Sequence, residues 1–586
     1  MQALSARIDF SDPNNPVGPR LRCAFGAARQ TLVAHELAQV RPVLEAVQAA
    51  AEQGSWCVGY LRYEAAPAFD AALAVHAADG PLAWFAVYDE ALPWPEEETP
   101  AAVRLQWQDM LQRPAFDAAL SEIQRAIAGG ELYQVNFTAN MSGILSGATA
   151  AEAAPALFAA LQRAQPGGYA AYLDTGDEQL LSVSPELFFD WQAGCILTRP
   201  MKGTAARGAT PEADAAQAQA LRASAKERAE NVMIVDLLRN DVSRIAQPFS
   251  VQVPRLFHTE ALPSVWQMTS DVQARTRAGT TLADVFAALF PCGSVTGAPK
   301  VRAMQMIRAL EPGARGVYCG ALGVVRPGGQ ACSATFNVPI RTVTLRGTAL
   351  RCGIGSGITA DATAAGEWQE WQHKRAFVER ASQPFDVLET LALEAGNLRH
   401  ATDHLKRMAA AAAHFGYAWD AAQAQQCLDQ LAQAHPQGLW RVRLLLDAQG
   451  QVRAEAFAME ASPTLVRLQL AERPLDEAHG EFVRFKTTRR AHYDAFTPGQ
   501  PGVFDTLLWN AEGEITECTR GNVAMLMEGR WVTPPLRCGL LPGVGRALAL
   551  REGRVTEAVV RVNELPRVQG WAFVNSLRGW LAAQLV

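Results

Sequence analysis

Paired cysteines are missing from this 586-residue chain. Its ten cysteines stand singly, at Cys23, Cys57, Cys195, Cys292, Cys319 and onward, with no Cys-x-x-Cys among them. That spacing excludes the usual zinc sites and a disulfide framework, and it favours a reducing compartment. No run approaches the roughly 20 apolar residues that cross a bilayer. The start, Met1-Gln-Ala-Leu-Ser-Ala-Arg7, lacks the charged-then-apolar layout of an export signal. A soluble, cytoplasmic protein with no membrane partner is therefore expected. Excess positive charge is missing too: the net charge is −6, which leaves no footprint for nucleic acid. There is no low-complexity linker, so any domains are expected to follow one another closely.

What is present is apolar bulk. Apolar residues make up 49% and charged residues 19%, enough to fill well-packed cores. The length exceeds what one core sustains, so about two to four domains are expected. Phe116, Leu120, Ile123 and Ile127 recur at helical spacing before Gly129-Gly130, after a proline- and acid-rich loop at 91–101. Strand-like runs follow at 133–138, 169–173, 180–189, 316–325, 334–344 and 349–354, and helical runs at 212–245, 281–290, 299–311 and 362–380. Strands outnumber helices without alternating with them. The expected class is α+β, with large mixed or antiparallel sheets and surrounding helices in the first half. The pattern changes near Gln383-Pro384, so the expected division is a domain at 1–374, a linker at 375–384 and a second domain at 385–586, with a helix at 402–415 and a strand at 439–446.

Two lysines in unrelated settings stand out: Lys202 in Thr198-Arg-Pro-Met-Lys-Gly-Thr204, and Lys486 in Arg484-Phe-Lys-Thr-Thr-Arg-Arg490. Both read as amines kept for covalent chemistry, although the second segment in isolation also reads as a solvated basic patch. Glu227 and Glu230 on one helical run, and Glu367 and Glu370 on another, each share a helix face at i, i+3. Two such faces meeting would form an oxygen-only cage suited to Mg²⁺; spacing alone favours solvated surface acid. The glycine clusters Gly293–Gly297 and Gly353–Gly357 fit neither the phosphate-loop nor the dinucleotide spacing, and each alone reads as a turn.

The combination is more specific than its parts. Gly59-Tyr-Leu-Arg-Tyr-Glu64, Gly130-Glu-Leu-Tyr-Gln-Val-Asn-Phe-Thr138, Ser184-Pro-Glu186, Pro200-Met-Lys-Gly-Thr204 and Met233-Ile-Val-Asp-Leu-Leu-Arg-Asn-Asp241 occur in this order. Gly293-Ser-Val-Thr-Gly-Ala-Pro-Lys300, Asn337-Val-Pro-Ile-Arg-Thr342, Gly355-Ser-Gly357 and Glu367-x-x-Glu370 follow. The series resembles the chorismate-utilising enzymes, the family of anthranilate synthase and aminodeoxychorismate synthase component I. That resemblance implies chorismate as substrate and Mg²⁺ held by Glu230 and Glu370, with Glu227 and Glu367 beside it. Arg341, Tyr318, Thr296 and the amides of Gly355 and Gly357 would bind substrate. Lys202 points to the branch that aminates C4, where a lysine attacks C2 and expels the C4 hydroxyl, with Glu186 as acid/base. Gln267 stands where relatives usually carry a histidine linked to pyruvate elimination and aromatisation; its presence fits an enzyme that stops before those steps, or simply keeps a hydrogen bond. No cysteine lies in the Gly-x-Cys-x-Gly-x-Gln setting of a glutamine amidotransferase, so a separate amidotransferase subunit is implied as the ammonia source.

In the second half, His404-Leu-Lys-Arg407-Met, Ile515-Thr-Glu517-Cys-Thr-Arg-Gly-Asn522, Val532-Thr-Pro-Pro535, Gly539-Leu-Leu-Pro-Gly-Val-Gly-Arg546 and Asn575-Ser-Leu-Arg-Gly579 accompany Lys486. Together they resemble fold-type IV pyridoxal phosphate enzymes, an α/β fold here shortened because the match begins only at Phe385-Asp-Val-Leu-Glu-Thr390. The resemblance implies that Lys486 bonds to pyridoxal 5′-phosphate and moves the proton, that Glu517 faces the pyridine nitrogen, and that Arg407 with the amides of Val544 and Gly545 holds the phosphate. Asn522, Arg490 and Asn575 are further candidates. Family members commonly carry threonine where Gly545 stands. Taken together, the resemblances imply a bifunctional route to 4-aminobenzoate, the folate precursor: amination of chorismate, then loss of pyruvate. A homo-oligomer through the lyase half is compatible with them. An anthranilate synthase fused to an aminotransferase, and a non-catalytic second half that recruits a partner, remain as alternatives.

Overall fold

The computed structural model describes residues 4–586 apart from 16–17, 96–103, 110, 147–148, 207–210, 262–264, 329–332 and 383, so most of the proline- and acid-rich stretch at 91–101 lies outside the described residues. The chain divides into two compact units, Met1–Gln383 and Pro384–Val586.

The first unit is built on two antiparallel sheets. In one, Gly297–Ala298, Gln134–Ser146, Ala349–Ile358, Thr342–Arg346, Gln179–Ser184, Tyr169–Asp174, Ala6–Phe10 and Leu21–Phe25 lie side by side. In the other the order is Met201–Ala206, Val265–Arg275, Cys195–Arg199, Leu187–Gln192, Ser333–Asn337, Ala321–Arg326, Trp56–Leu61, Ala83–Tyr88 and Gln30–Ala34. A core of Ile8, Phe25, Ala171 and Leu180 from the first sheet and Val58, Tyr60, Leu322 and Val324 from the second fills the space between them. Each sheet also buries its other face against helices. The alternation is clear in Trp56–Leu61: Val58 and Tyr60 face the sheet–sheet core, while Cys57 and Leu61 join a core with Val43, Leu238 and Phe286. Strands buried on both faces read as continuous apolar runs, which is why they carry no period-two signal.

Some expected elements divide where the chain demands it. The run 180–189 is two strands in different sheets, Gln179–Ser184 and Leu187–Gln192, because Pro185 cannot continue a ladder. Pro339 likewise separates Ser333–Asn337 from Thr342–Arg346. The long helical run is two helices, Pro211–Ala223 and Ala225–Ser243, and Ser224 caps the second by accepting from the Glu227 amide. That cap sets the helix phase, putting Glu227 in the first turn and Glu230 one turn later. Residues 375–382, expected as linker, are instead the end of the helix Ala364–Ser382, with Phe377, Val378 and Ala381 buried in the first unit. Their 3.6-residue apolar spacing continues the helix through that stretch.

The second unit holds two sheets of its own. A four-stranded antiparallel sheet orders Asn397–Leu398, Val387–Glu394, Leu439–Leu446 and Val452–Ala458, and the helix Ala401–Phe415 packs on it through Met408, Ala411 and Phe415. The eight-stranded sheet is mixed, with Leu465–Leu470 parallel to both Asp505–Trp509 and Gly579–Leu585. The loop carrying Lys486 is pinned to the start of Val387–Glu394: Leu388 N donates to Lys486 O at 3.0 Å and Asp386 N to Thr488 Oγ1 at 2.9 Å. Among the described residues no helix is long and apolar enough to cross a membrane.

Candidate functional site

In the first unit, Gln134–Ser146 pairs with Ala349–Ile358, setting Gly357 opposite Asn136 and Gly355 opposite Thr138. The strand Thr342–Arg346 covers the other edge of Ala349–Ile358 only as far as Cys352. Beyond that point, Gly355 O accepts from Lys374 Nζ at 2.9 Å. The backbone groups of Gly357, two residues on, share that direction, so the Gly355 and Gly357 amides face an edge that no strand covers among the described residues.

Lys202 reaches this floor from the other sheet. A methyl group on Gly357 would stand 2.6 Å from Lys202 Nζ and 2.5 Å from Gln134 Nε2. Gln134 is fully buried, and among the described residues neither of its side-chain polar atoms has a partner. Such an amide is costly unless something polar fills the space beside it. Nothing in the sequence alone marks Gln134 out beyond its place in the 130–138 segment. Gly203 turns the chain after Lys202 with φ +85, and Glu227 Oε2 lies 2.8 Å from where its side chain would begin. Gln267 Nε2 donates to Gly203 O at 2.9 Å, and Gln267 Oε1 accepts from Thr204 Oγ1 at 3.3 Å. The glutamine thus fastens the turn that carries the lysine.

Glu186 follows Pro185 and is 4% exposed. Burial pushes its carboxyl up to about 7, against the Ser294 hydroxyl and the Lys202 and Lys374 ammonium groups that favour its charge. Among the described residues its Oε1 has no partner. Arg341 sits at φ 52, donates to Lys374 O at 2.9 Å and stacks 5.3 Å over Phe377. Among the described residues it has no ion pair, and burial holds its guanidinium down at about 10. Tyr318 packs its ring on Gly353, beside Arg341. Thr296 is buried and donates to Cys292 O and Gly293 O at 3.1 and 3.3 Å, which spends its proton within its own loop.

In the second unit, burial pushes the Lys486 amine down to about 8, helped by the Arg490 and Arg407 charges and opposed by Glu389 and Glu517. These five side chains therefore converge. Burial pushes Glu517 up to about 8, although Tyr493 Oη, Leu541 N and Asn522 Nδ2 donate to its oxygens at 2.6, 3.1 and 3.3 Å. Arg407 Nη1 donates to Pro542 O at 3.1 Å, so its guanidinium stands at the start of the helix Val544–Arg551. Arg490 donates to Thr519 O at 2.6 Å; Asn575 contributes its backbone, 2.6 Å from where a Gly545 side chain would begin.

Residues 12–380 match the family described as chorismate binding enzyme. The chain belongs to that family. Residues 386–586 match amino-transferase class IV. The chain is 41% identical over 284 residues to aminodeoxychorismate synthase component 1 of Klebsiella aerogenes, covering 48% of this chain and 61% of that protein. It is 38% identical over 268 residues to anthranilate synthase component 1 of Neisseria meningitidis serogroup A, covering 46% and 53%. The chain thus spans about half to three-fifths of the curated relatives it matches. The menaquinone-specific isochorismate synthase of Escherichia coli shares the fold of this family, with a TM-score of 0.52 at 19% identity over 65% of this chain and 90% of that one.

The family's expected metal fits the donor chemistry of the first unit. Glu227, Glu230, Glu367 and Glu370 lie close enough that Glu370 and Glu367 help raise Glu227, and Glu227 and Glu370 help raise Glu230, after burial in each case. A divalent cation would relieve that repulsion. The four are spread rather than clenched: among the described residues no three His, Cys, Asp or Glu stand at metal-holding distance. Glu367 accepts from Ser356 Oγ at 2.5 Å, Glu370 pairs with Lys374 at 2.6 Å, and Lys226 lies 3.9 Å from Glu230. In the second unit, an amine, a carboxyl that is costly to ionise, and a cation beside first-turn amides match the aldehyde, ring nitrogen and phosphate of pyridoxal phosphate.

Proposed function

We propose that the first unit aminates chorismate at C4 and that the second removes pyruvate from the product, giving 4-aminobenzoate. The observation that carries the reading is the Lys202 amine over Gly357, with the buried, readily protonated Glu186 in electrostatic reach. Lys202 Nζ bonds to C2, the ring double bonds shift, and the C4 hydroxyl departs as water with the Glu186 proton. Ammonia then bonds to C4, the double bonds shift back, and Lys202 is released. Arg341 and the Gly355 and Gly357 amides hold the substrate carboxylates; Glu230 and Glu370 would hold Mg²⁺, which would supply positive charge against one of those carboxylates. Gln134, whose amide has no partner among the described residues, offers polar contact beside the reacting carbon. A separate glutamine amidotransferase subunit supplies the ammonia.

In the second unit Lys486 takes the proton at C4 of the aminated ring, and pyruvate leaves from C3 as the ring becomes aromatic. Pyridoxal phosphate, when bound, supplies the electron sink for that step. Glu517, held by Tyr493, Leu541 and Asn522, would hold the ring nitrogen of that cofactor, and Arg407 with the Val544 and Gly545 amides would hold its phosphate.

Anthranilate synthases stand among the relatives at similar identity, so the ring position rests on Lys202 and Gln267. Incubating the protein with chorismate, Mg²⁺, pyridoxal phosphate and excess ammonium tests the reading: the para aminobenzoate is expected, and the ortho isomer would overturn it.

A further inference from the structure

Two buried side chains of the second unit have no part in that chemistry. Glu389, on Val387–Glu394, is 1% exposed, and His404, on Ala401–Phe415, is fully buried. A carboxylate so placed is costly unless it is paired and hydrogen-bonded. Here burial would raise its pKa, yet the Arg407 charge and the His404 and Arg407 hydrogen bonds overturn that and hold it down at about 2. Arg407 Nε meets Oε1 at 2.8 Å and Nη2 meets Oε2 at 2.6 Å, a two-pronged fork; His404 Nδ1 meets Oε2 at 2.5 Å. Because a carboxylate only accepts, His404 donates from Nδ1. The i, i+3 spacing of His404 and Arg407 turns both toward the same carboxylate.

The fork decides what Arg407 has left to offer. A guanidinium carries five N–H donors. Two are taken by Glu389 and one by Pro542 O, at the cap of Val544–Arg551. One N–H remains on each terminal nitrogen, the pair that grips two oxygens of one phosphate. An arginine already fixed on its other edge does not lose its rotamer freedom when the anion arrives. Gly545 brings no hydroxyl, so the grip falls more heavily on this cation.

We propose that Glu389, braced by His404, is the positioning residue that presets Arg407 for the phosphate ester, making phosphate recognition the main source of cofactor affinity. This rests on reading the second unit as a pyridoxal phosphate site. The test titrates full-length protein with pyridoxal phosphate and, separately, with pyridoxal, which lacks the phosphate, following visible absorbance. Glu389→Gln is expected to weaken pyridoxal phosphate binding about 10- to 100-fold, the range for losing a partner that orients a ligand, with pyridoxal binding within about twofold of wild type. Equal weakening of both probes, or unchanged pyridoxal phosphate binding, overturns the clamp while leaving the cofactor reading intact. Wild-type protein that takes up neither probe overturns both. Should Glu389→Gln lose its cooperative melt, His404→Phe removes only the brace; it is expected to weaken pyridoxal phosphate severalfold and pyridoxal not at all, and any other pattern rejects the proposal.

Discussion

Lys374 Nζ lies 2.6 Å from Glu370 Oε1 and 2.9 Å from the carbonyl of Gly355. An ammonium thus stands beside a carboxylate assigned to the metal and touches the strand assigned to the substrate. Lys374→Gln should therefore bind Mn²⁺, used as the spectroscopic substitute for Mg²⁺, about three- to tenfold more tightly. The gain is limited because the pair is partly exposed and screened. Electron paramagnetic resonance titration of free Mn²⁺ measures it, and weaker metal binding by the variant would separate Lys374 from the metal site.

On the proposed reaction, Glu186 should set a pH limit on amination. Its carboxyl is raised to about 7 by burial, and the acid role needs the protonated form. That form is full well below pH 7 and is lost as pH rises through it. The kcat/KM for chorismate with ammonium, corrected for the ammonia fraction, should fall across this range. In Glu186→Gln the limb should vanish, with the rate lower by about 10²- to 10⁴-fold, the usual worth of a positioned proton donor. A persisting limb would assign the titration elsewhere.

The two lysines should separate the two steps. Lys202→Ala is expected to make no detectable 4-aminobenzoate while keeping the visible absorption of bound pyridoxal phosphate. Lys486→Ala is expected to consume chorismate at near wild-type rate, to release no pyruvate, and to lose that absorption. Chromatography of the ring products beside a coupled pyruvate assay reads both variants at once. Normal pyruvate from Lys486→Ala would remove the lyase step, and unchanged product from Lys202→Ala would remove its covalent role.

Ordered motifs single out Lys202, Glu186, Lys486 and Glu517 in the sequence, and the structure brings Lys202 within electrostatic reach of Glu186 and Lys486 within that of Glu517. The helix Arg113–Ala128 and the strand Leu439–Leu446 were legible from periodicity. Strands such as Ala83–Tyr88 were not, since burial on both faces erases alternation. The helix Ala364–Ser382 was legible over 362–380, whereas the domain boundary was expected too early, at 375, because the sequence alone does not show that Phe377, Val378 and Ala381 pack into the first core. Gln134 was not legible because only its burial, with no partner for its amide among the described residues, makes it unusual. Glu389 escaped because its partners lie 15 and 18 residues away on a different element; the i, i+3 pairing of His404 with Arg407 was the available hint.

Gly545 explains why a threonine common among the resembling enzymes cannot simply be restored. A side chain there would begin 2.6 to 2.9 Å from the Asn575 backbone, at the end of the strand Gly570–Asn575. Backbone yields less readily than a flexible side chain, so the added hydroxyl arrives with a displaced strand end. Gly545→Thr should therefore lower stability by about 1–3 kcal/mol, the usual cost of overpacking. Pyridoxal phosphate affinity should fall as well, because the first-turn amides and Asn575 move together. Thermal melting of the cofactor-free protein and titration with the cofactor measure the two effects. Tighter binding at unchanged stability would mean that the strand end gives way freely, and that the missing hydroxyl, rather than the crowding, limits this site.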